Sequence, residues 1–177
     1  MNEIVAFVIS VLGYLTLFGQ IIIVVLLVLL IFPKKKKSRL ADLHAIFKQN
    51  ALTFIFLVAS IATFGSLFLS EVALYVPCKL CWWQRIFMYP TALVSLVALI
   101  KNDRGAIKYI LPLSAIGALI ATYHYIMQLF PNMLECSEEV AKCSTIQFAQ
   151  FGYITIPVMA LTAFVLLALS SLILLRK

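Results

Sequence analysis

Four cysteines are the residues of this 177-residue chain whose type and spacing could do chemistry. Cys78 and Cys81 form a Cys-Lys-Leu-Cys motif, and Cys136 and Cys143 form a wider pair with six residues between them. Three chemistries compete for such a set. Two disulfides could staple short loops. Four thiolates could hold zinc, although a zinc site of this kind usually repeats the tight Cys-x-x-Cys and only one is present. Two pairs could also exchange electrons, because thiol–disulfide exchange passes through a mixed disulfide between neighbouring pairs. Haem attachment is excluded, since Trp82 and not a histidine follows Cys81.

Local physics favours exchange. Pro77 precedes the motif, which therefore opens a helix where orphan N–H groups and the helix dipole favour a thiolate. Lys79 and Arg85 add positive charge, and such surroundings lower a cysteine pKa from about 8.5 to roughly 3.5–7.5. A staple needs none of this. Arg85 lies four residues after Cys81, one turn deeper on the same helical face. It either snorkels to the lipid headgroups or serves a function at the lip of a span. His124 and Gln128, at i and i+4, form a polar stripe in an otherwise apolar segment. Alone, such a histidine is a packing or interhelical hydrogen-bond residue; with Arg85 and a redox cysteine at similar depth it could bind the polar headgroup of a lipid-soluble ligand.

The elements that must position these residues are membrane spans. The chain is 64% hydrophobic and 12% charged, with a mean hydropathy of +1.08. Soluble domains are nearer 45–50% apolar and about 25% charged, so a soluble domain, a disordered chain and a nucleic-acid binder are excluded despite the net charge of +7. A span needs about 20 mostly apolar residues. Five segments qualify: 4–32, 50–70, 82–100, 109–130 and 152–175. Lipid leaves helices as the way to satisfy the backbone of such spans, so the expected fold is an all-α membrane bundle. The first segment is expected to be a retained helix rather than a cleaved signal, because Glu3 precedes it, Lys34, Lys35, Lys36 and Lys37 follow it, and it is too long.

Basic residues then orient the bundle. Lys34 to Lys37, Arg39 and Lys48 fall in one loop, Lys101, Arg104 and Lys108 in another, and Arg176 and Lys177 at the C-terminus. Only Lys79, Arg85 and Lys142 fall on the other side, with Glu3, Glu71, Glu135, Glu138 and Glu139. The N-terminus is expected outside and the C-terminus in the cytoplasm. All four cysteines then lie on the extracytoplasmic side, where disulfides persist. Within the basic loop, Leu40, Leu43, Ile46 and Phe47 recur at roughly helical spacing, which fits either a short interfacial helix or a linker dipping into the headgroups.

The stretch Pro77-Cys78-Lys79-Leu80-Cys81-Trp82-Trp83-Gln84-Arg85 resembles the disulfide bond formation protein B (DsbB) family, closest to its short BdbC/DsbC-like bacterial branch. Tyr123 to Pro131 resembles the end of that family's fourth span, and Gly152 to Pro157 the start of its last helix. The similarity covers roughly residues 50–175. It implies a four-helix transmembrane bundle of DsbB type, residues 50–177, here preceded by one additional transmembrane helix and its basic loop, residues 1–49. It also implies an enzyme of the bacterial cell (inner) membrane that reoxidises a thioredoxin-like thiol oxidase (DsbA/BdbD-like) and passes the electrons to ubiquinone or menaquinone. Position by position, Cys136 matches the cysteine that joins the partner, Cys143 its loop mate that exchanges with Cys78, and Cys81 the cysteine that reacts with the quinone. Arg85 matches the quinone-contacting arginine, and His124 and Gln128 match residues lining the same pocket. No metal and no nucleic acid is expected; membrane lipid is.

Two departures stand out: the extra helix at the front, and a loop pair closer together than in the longest-known type. Two alternatives remain beside the DsbB-like reading. A vitamin K epoxide reductase-like enzyme would place its loop cysteines before the Cys-x-x-Cys, the reverse of the order here. A non-enzymatic membrane subunit would use its disulfides only as braces. Every candidate catalytic residue follows residue 77, so residues 4–32 are expected to be dispensable for chemistry.

Overall fold

The computed structural model describes residues 3–31, 39–130 and 143–175. Cys136, the Lys34 to Lys37 run, Lys142, Arg176 and Lys177 lie outside them. Five helices cover most of the described chain: α1 (Glu3–Ile31), α2 (Arg39–Glu71), α3 (Lys79–Lys101), α4 (Ile107–Leu129) and α5 (Ile156–Leu175). All five are long and apolar enough to cross a membrane, since at 1.5 Å per residue about 20 residues span the hydrocarbon core. The expected all-α membrane architecture is the one observed.

Two boundaries differ from expectation. Arg39 to Gln49 continues α2 without a break, so it is neither a separate interfacial helix nor a loop. Phe47 packs edge-on against Phe54, with ring centroids 5.6 Å apart, which carries the helix past the predicted span. Residue 49 therefore falls inside a helix. At the other end, the predicted start of the last span at Gly152 is a tight turn. Gln150 and Ile154 exchange two 2.9 Å backbone hydrogen bonds, with Phe151 and Gly152 at positive φ, and α5 begins only at Ile156.

Helix α5 is the hub. It packs against α4, α1 and α2, while α3 sits between α2 and α4. The closest approach is between α4 and α5, where Gly117 lies under the fully buried Phe164 ring. A Cβ there would fall inside the ring's van der Waals envelope. Small residues serve helix pairing in lipid in this way, because packing rather than the hydrophobic effect drives association. Helix α1 buries one stripe, formed by Val5, Ile9, Gly13, Thr16, Gly19, Leu26 and Leu29.

Gly117→Ala should cost about 1–3 kcal/mol, the usual range for overpacking, and lower the melting temperature of the detergent-solubilised protein. Phe164→Leu in that background should return part of the loss. If the two effects simply add, the pair is not in contact as described.

Candidate functional site

The site grows from the start of α3. Cys78 has extended backbone angles and caps the helix, and Trp82 N–H closes the first turn on the Cys78 carbonyl at 3.2 Å. Cys81 sits one turn in. The i, i+3 relation brings the two sulfurs 3.6 Å apart, with the Cys78 thiol donating to Cys81. The segment before the motif is tied down by Gln147, whose side-chain amide donates to the Val76 carbonyl at 3.1 Å.

Cys143 arrives from the other side. It is buried against Cys78 and Met127, and its side chain hydrogen-bonds that of Cys78. The structure thus brings together three of the four predicted cysteines at one end of the bundle, with Cys78 and Cys81 as thiols. Cys136 lies outside the described residues.

His124 clamps this cluster. One ring nitrogen, Nε2, lies 3.1 Å from the Cys143 carbonyl and 3.7 Å from the Cys78 sulfur. Nδ1 lies 3.1 Å from the Gln84 side-chain nitrogen. A carbonyl only accepts and an amide nitrogen only donates, so the neutral Nε2–H tautomer satisfies both ends. Gln128 works one turn further on: its oxygen accepts from the Thr155 hydroxyl at 2.8 Å and its nitrogen donates to the Thr145 carbonyl at 3.4 Å. It thereby fastens the end of α4 to the loop after Cys143.

Arg85 faces elsewhere. It is 8% exposed and does not snorkel. Its Nε donates to the Ser66 hydroxyl and a terminal nitrogen to the Ser66 carbonyl, both at 3.0 Å. Its guanidinium carbon stands 5.1 Å from the centre of the Trp82 ring. With Cys81, Gln84 and Met88 it lines a mainly apolar cavity of about 340 Å³. His124 and Gln128 are not on that cavity; they line a small cleft with Cys78, Cys81 and Cys143. The expected grouping of Arg85, His124 and Gln128 in one pocket is therefore corrected. Among the described cysteines, Cys81 lines both the cavity and the cleft.

Three features were not read from the sequence. Gln84 bridges the faces, Ser66 orients Arg85, and α1 lines the cavity through Leu12, Thr16 and Gly19. Gln84 was legible, because it sits beside Arg85 in the motif; Ser66 was not, because its role depends on how α2 meets α3. The sulfurs of Cys78 and Cys81 and a His124 ring nitrogen also lie within 4.8 Å of one another, close enough to ligate a soft metal.

The helix start does not make Cys78 acidic. Its thiol is pushed up to about 11, first by the hydrogen bond with Cys81 and then by burial, while His124 and Cys143 pull it down. Cys78 therefore carries the proton of the reduced pair at neutral pH. The N-terminal dipole expectation fails for Cys78 because sharing a proton with a sulfur 3.6 Å away outweighs it.

Residues 48–174 match the family model described as Disulfide bond formation protein DsbB. The chain is 45% identical over 136 residues to the Probable disulfide formation protein of Oceanobacillus iheyensis, covering 73% of this chain and 91% of that protein. It is 41% identical over 124 residues to Disulfide bond formation protein C of Bacillus subtilis, covering 67% and 90%. A third relative, the SPbeta prophage-derived disulfide bond formation protein B of Bacillus subtilis, is 40% identical over 114 residues, covering 64% and 77%. No solved structure matches the chain at a significant level.

Replacing Cys81 by Ala removes the largest upward influence on Cys78, so the Cys78 thiol should titrate lower and alkylate faster at neutral pH. Adding His124→Ala should move it back up by about one pH unit, since a donated hydrogen bond of roughly 1 kcal/mol to the thiolate is lost. Iodoacetamide labelling against pH reads both shifts. An unchanged profile on adding His124→Ala would remove His124 from the sulfur cluster.

Proposed function

Because the chain belongs to the disulfide bond formation protein B family, we propose that it is a membrane thiol-disulfide oxidoreductase that draws electrons from an extracytoplasmic thioredoxin-like dithiol oxidase and delivers them to a membrane quinone. The observation that carries this reading is the position of Cys81, which is shared by the sulfur cleft and the Arg85 cavity. Electrons entering through Cys143 and Cys78 have a way out on the other face of the same helical turn.

The cavity fits a quinone. It has the size of a small-ligand pocket, apolar walls and convergent polar groups, and its cation has no carboxylate among its described partners. Cys81 and Arg85 would hold the polar ring end and the apolar walls the rest. A quinone bound there accepts two electrons and two protons from the dithiol. The chain supplies position and electrostatics: Ser66 and Trp82 fix the guanidinium, which stabilises a thiolate at Cys81 and negative charge developing beside it.

On the sulfur side, each step exchanges one S–S bond for another. A partner thiolate attacks Cys136 of the Cys136–Cys143 disulfide, and Cys143 leaves as a thiolate. The partner's second thiol displaces Cys136, and the partner departs oxidised. Cys143 then attacks Cys78 of the Cys78–Cys81 disulfide and frees Cys81 as a thiolate. Cys136 resolves the Cys78–Cys143 bond, leaving the motif as a dithiol with the partner's two electrons and two protons. His124 N–H donates toward the Cys78 sulfur as charge appears on it, and the proton comes to rest on Cys78. The distribution of basic residues supports placing this face outside the bacterial cell membrane.

The test uses purified protein, a reduced thioredoxin-like partner and decylubiquinone. Replacing both Cys136 and Cys143 by Ser should stop partner oxidation, and normal turnover by that variant would sink the two-pair relay. Arg85→Gln should lower quinone reduction by ~100–1,000-fold, the usual cost of losing one preorganised donor to developing charge, and raise the KM for quinone. Near wild-type kinetics would end the assignment of Arg85 to the oxidant site.

A further inference from the structure

Helix α1 lies wholly before the matched residues 48–174, yet it is built into the site. Its Gly13 lies against the Gln150 side chain, and its Gly19 lies close to Thr162 and Leu166 of α5. Tyr14 stacks edge-on with Phe151 at 5.2 Å, and the Tyr153 hydroxyl donates to the Gln20 oxygen at 2.7 Å. These contacts fasten α1 to α5 and to the turn leading into it. Against α2, α1 packs near its two ends, where Val5 and Ile9 share a cluster with Leu69, and Leu26 and Leu29 one with Phe47 and Phe54, and comes close at few points between them. One of them is at Leu12, which fits into the space left by Gly65, and both residues line the cavity that Cys81 and Arg85 share.

We propose that α1 is the lipid-side wall of the oxidant cavity, and that the seam between α1 and α2, pinched at Leu12 and Gly65, is the passage through which a quinone reaches Cys81 and Arg85. The proposal rests on the quinone reading above. It reverses the expectation that residues 4–32 stand apart from the chemistry. The wall suits a hydrocarbon tail: Leu12, Leu15, Phe18 and Ile22 face the cavity, and the one hydroxyl among the α1 residues that line it, on Thr16, donates to the Leu12 carbonyl at 2.8 Å. A polar ligand would find nothing on α1 to bind, whereas a ring anchored at Arg85 with an apolar tail directed along α1 satisfies both ends of the cavity. A seam between two spans that is closed midway by Leu12 against Gly65 faces lipid, the phase that holds such a molecule. No redox step is assigned to α1; its residues are positioning residues.

The test reads binding as well as turnover. In the wild-type protein, a photoreactive azidoquinone should label peptides within residues 12–22, and excess decylubiquinone should suppress the labelling. Thr16→Phe fills the cavity from α1 and should raise the Kd for decylubiquinone, followed by tryptophan fluorescence quenching, by roughly tenfold or more, as overpacking a site by a ring would. Val24→Phe, on the lipid-facing side of the same helix, should bind as wild type. Labelling confined to residues 39–175, or a folded Thr16→Phe protein with wild-type Kd, would overturn the proposal. If Thr16→Phe does not fold, the wild-type labelling map decides. A wild-type protein that neither binds nor reduces decylubiquinone overturns the quinone reading itself, a result distinct from binding without α1 labelling.

Discussion

The arrangement depends on one local constraint, the i, i+3 relation between two cysteines in the first turn of a helix. It holds the sulfurs 3.6 Å apart, close enough to share a proton or form a bond after a small rotation. The same turn aims the two residues differently. Cys78, at the cap, meets Cys143 and His124; Cys81, inside the helix, also reaches the Arg85 cavity. Much of the remaining structure keeps that turn where it is. Gln147 holds the segment before it, His124 bridges from α4 to Gln84 of α3, and Ser66 anchors its far side through Arg85. A displacement of the α3 N-terminus would disturb both faces at once.

Burying Arg85 is the costly element. An ionised side chain within a membrane span is unfavourable unless its donors are satisfied. Here a single serine supplies both a hydroxyl and a carbonyl, and the Trp82 face adds a cation–π contact. None of these described partners is negative, so none of them neutralises the charge. That is the condition under which a guanidinium attracts an anionic sulfur or oxygen from the cavity. The proton held on Cys78 lies on the sulfur-exchange side.

Packing among the spans relies on small residues more than on large ones. Gly117 admits Phe164, and Gly13 and Gly19 let α1 settle onto the 150–154 turn and α5. In lipid the apolar surface of a helix is already satisfied, so close backbone approach and polar links such as Tyr153 to Gln20 decide which helices touch. Between α1 and α2 the mid-helix contact is that of Leu12 with Gly65, at the edge of the cavity.

The sequence by itself determined the five spans, the gathering of cysteines at one end and the placing of Arg85 one turn below Cys81. Hydropathy and the 3.6-residue period are local properties, and lipid enforces them strongly. It misjudged Arg39 to Gln49, because polar residues there interrupt the hydropathy signal without interrupting the helix. Which way each helix faces was beyond it. The rotation of α4, set against α5 at Gly117 and Phe164, turns His124 and Gln128 toward the sulfurs and away from the Arg85 cavity. The docking of α1 on α5 makes an apparently separate helix part of the cavity wall. Both outcomes arise from contacts between segments far apart in the chain, such as Cys78 with His124 and Gln20 with Tyr153. Residue spacing within one segment carries no record of such contacts, so only the tertiary structure could decide them.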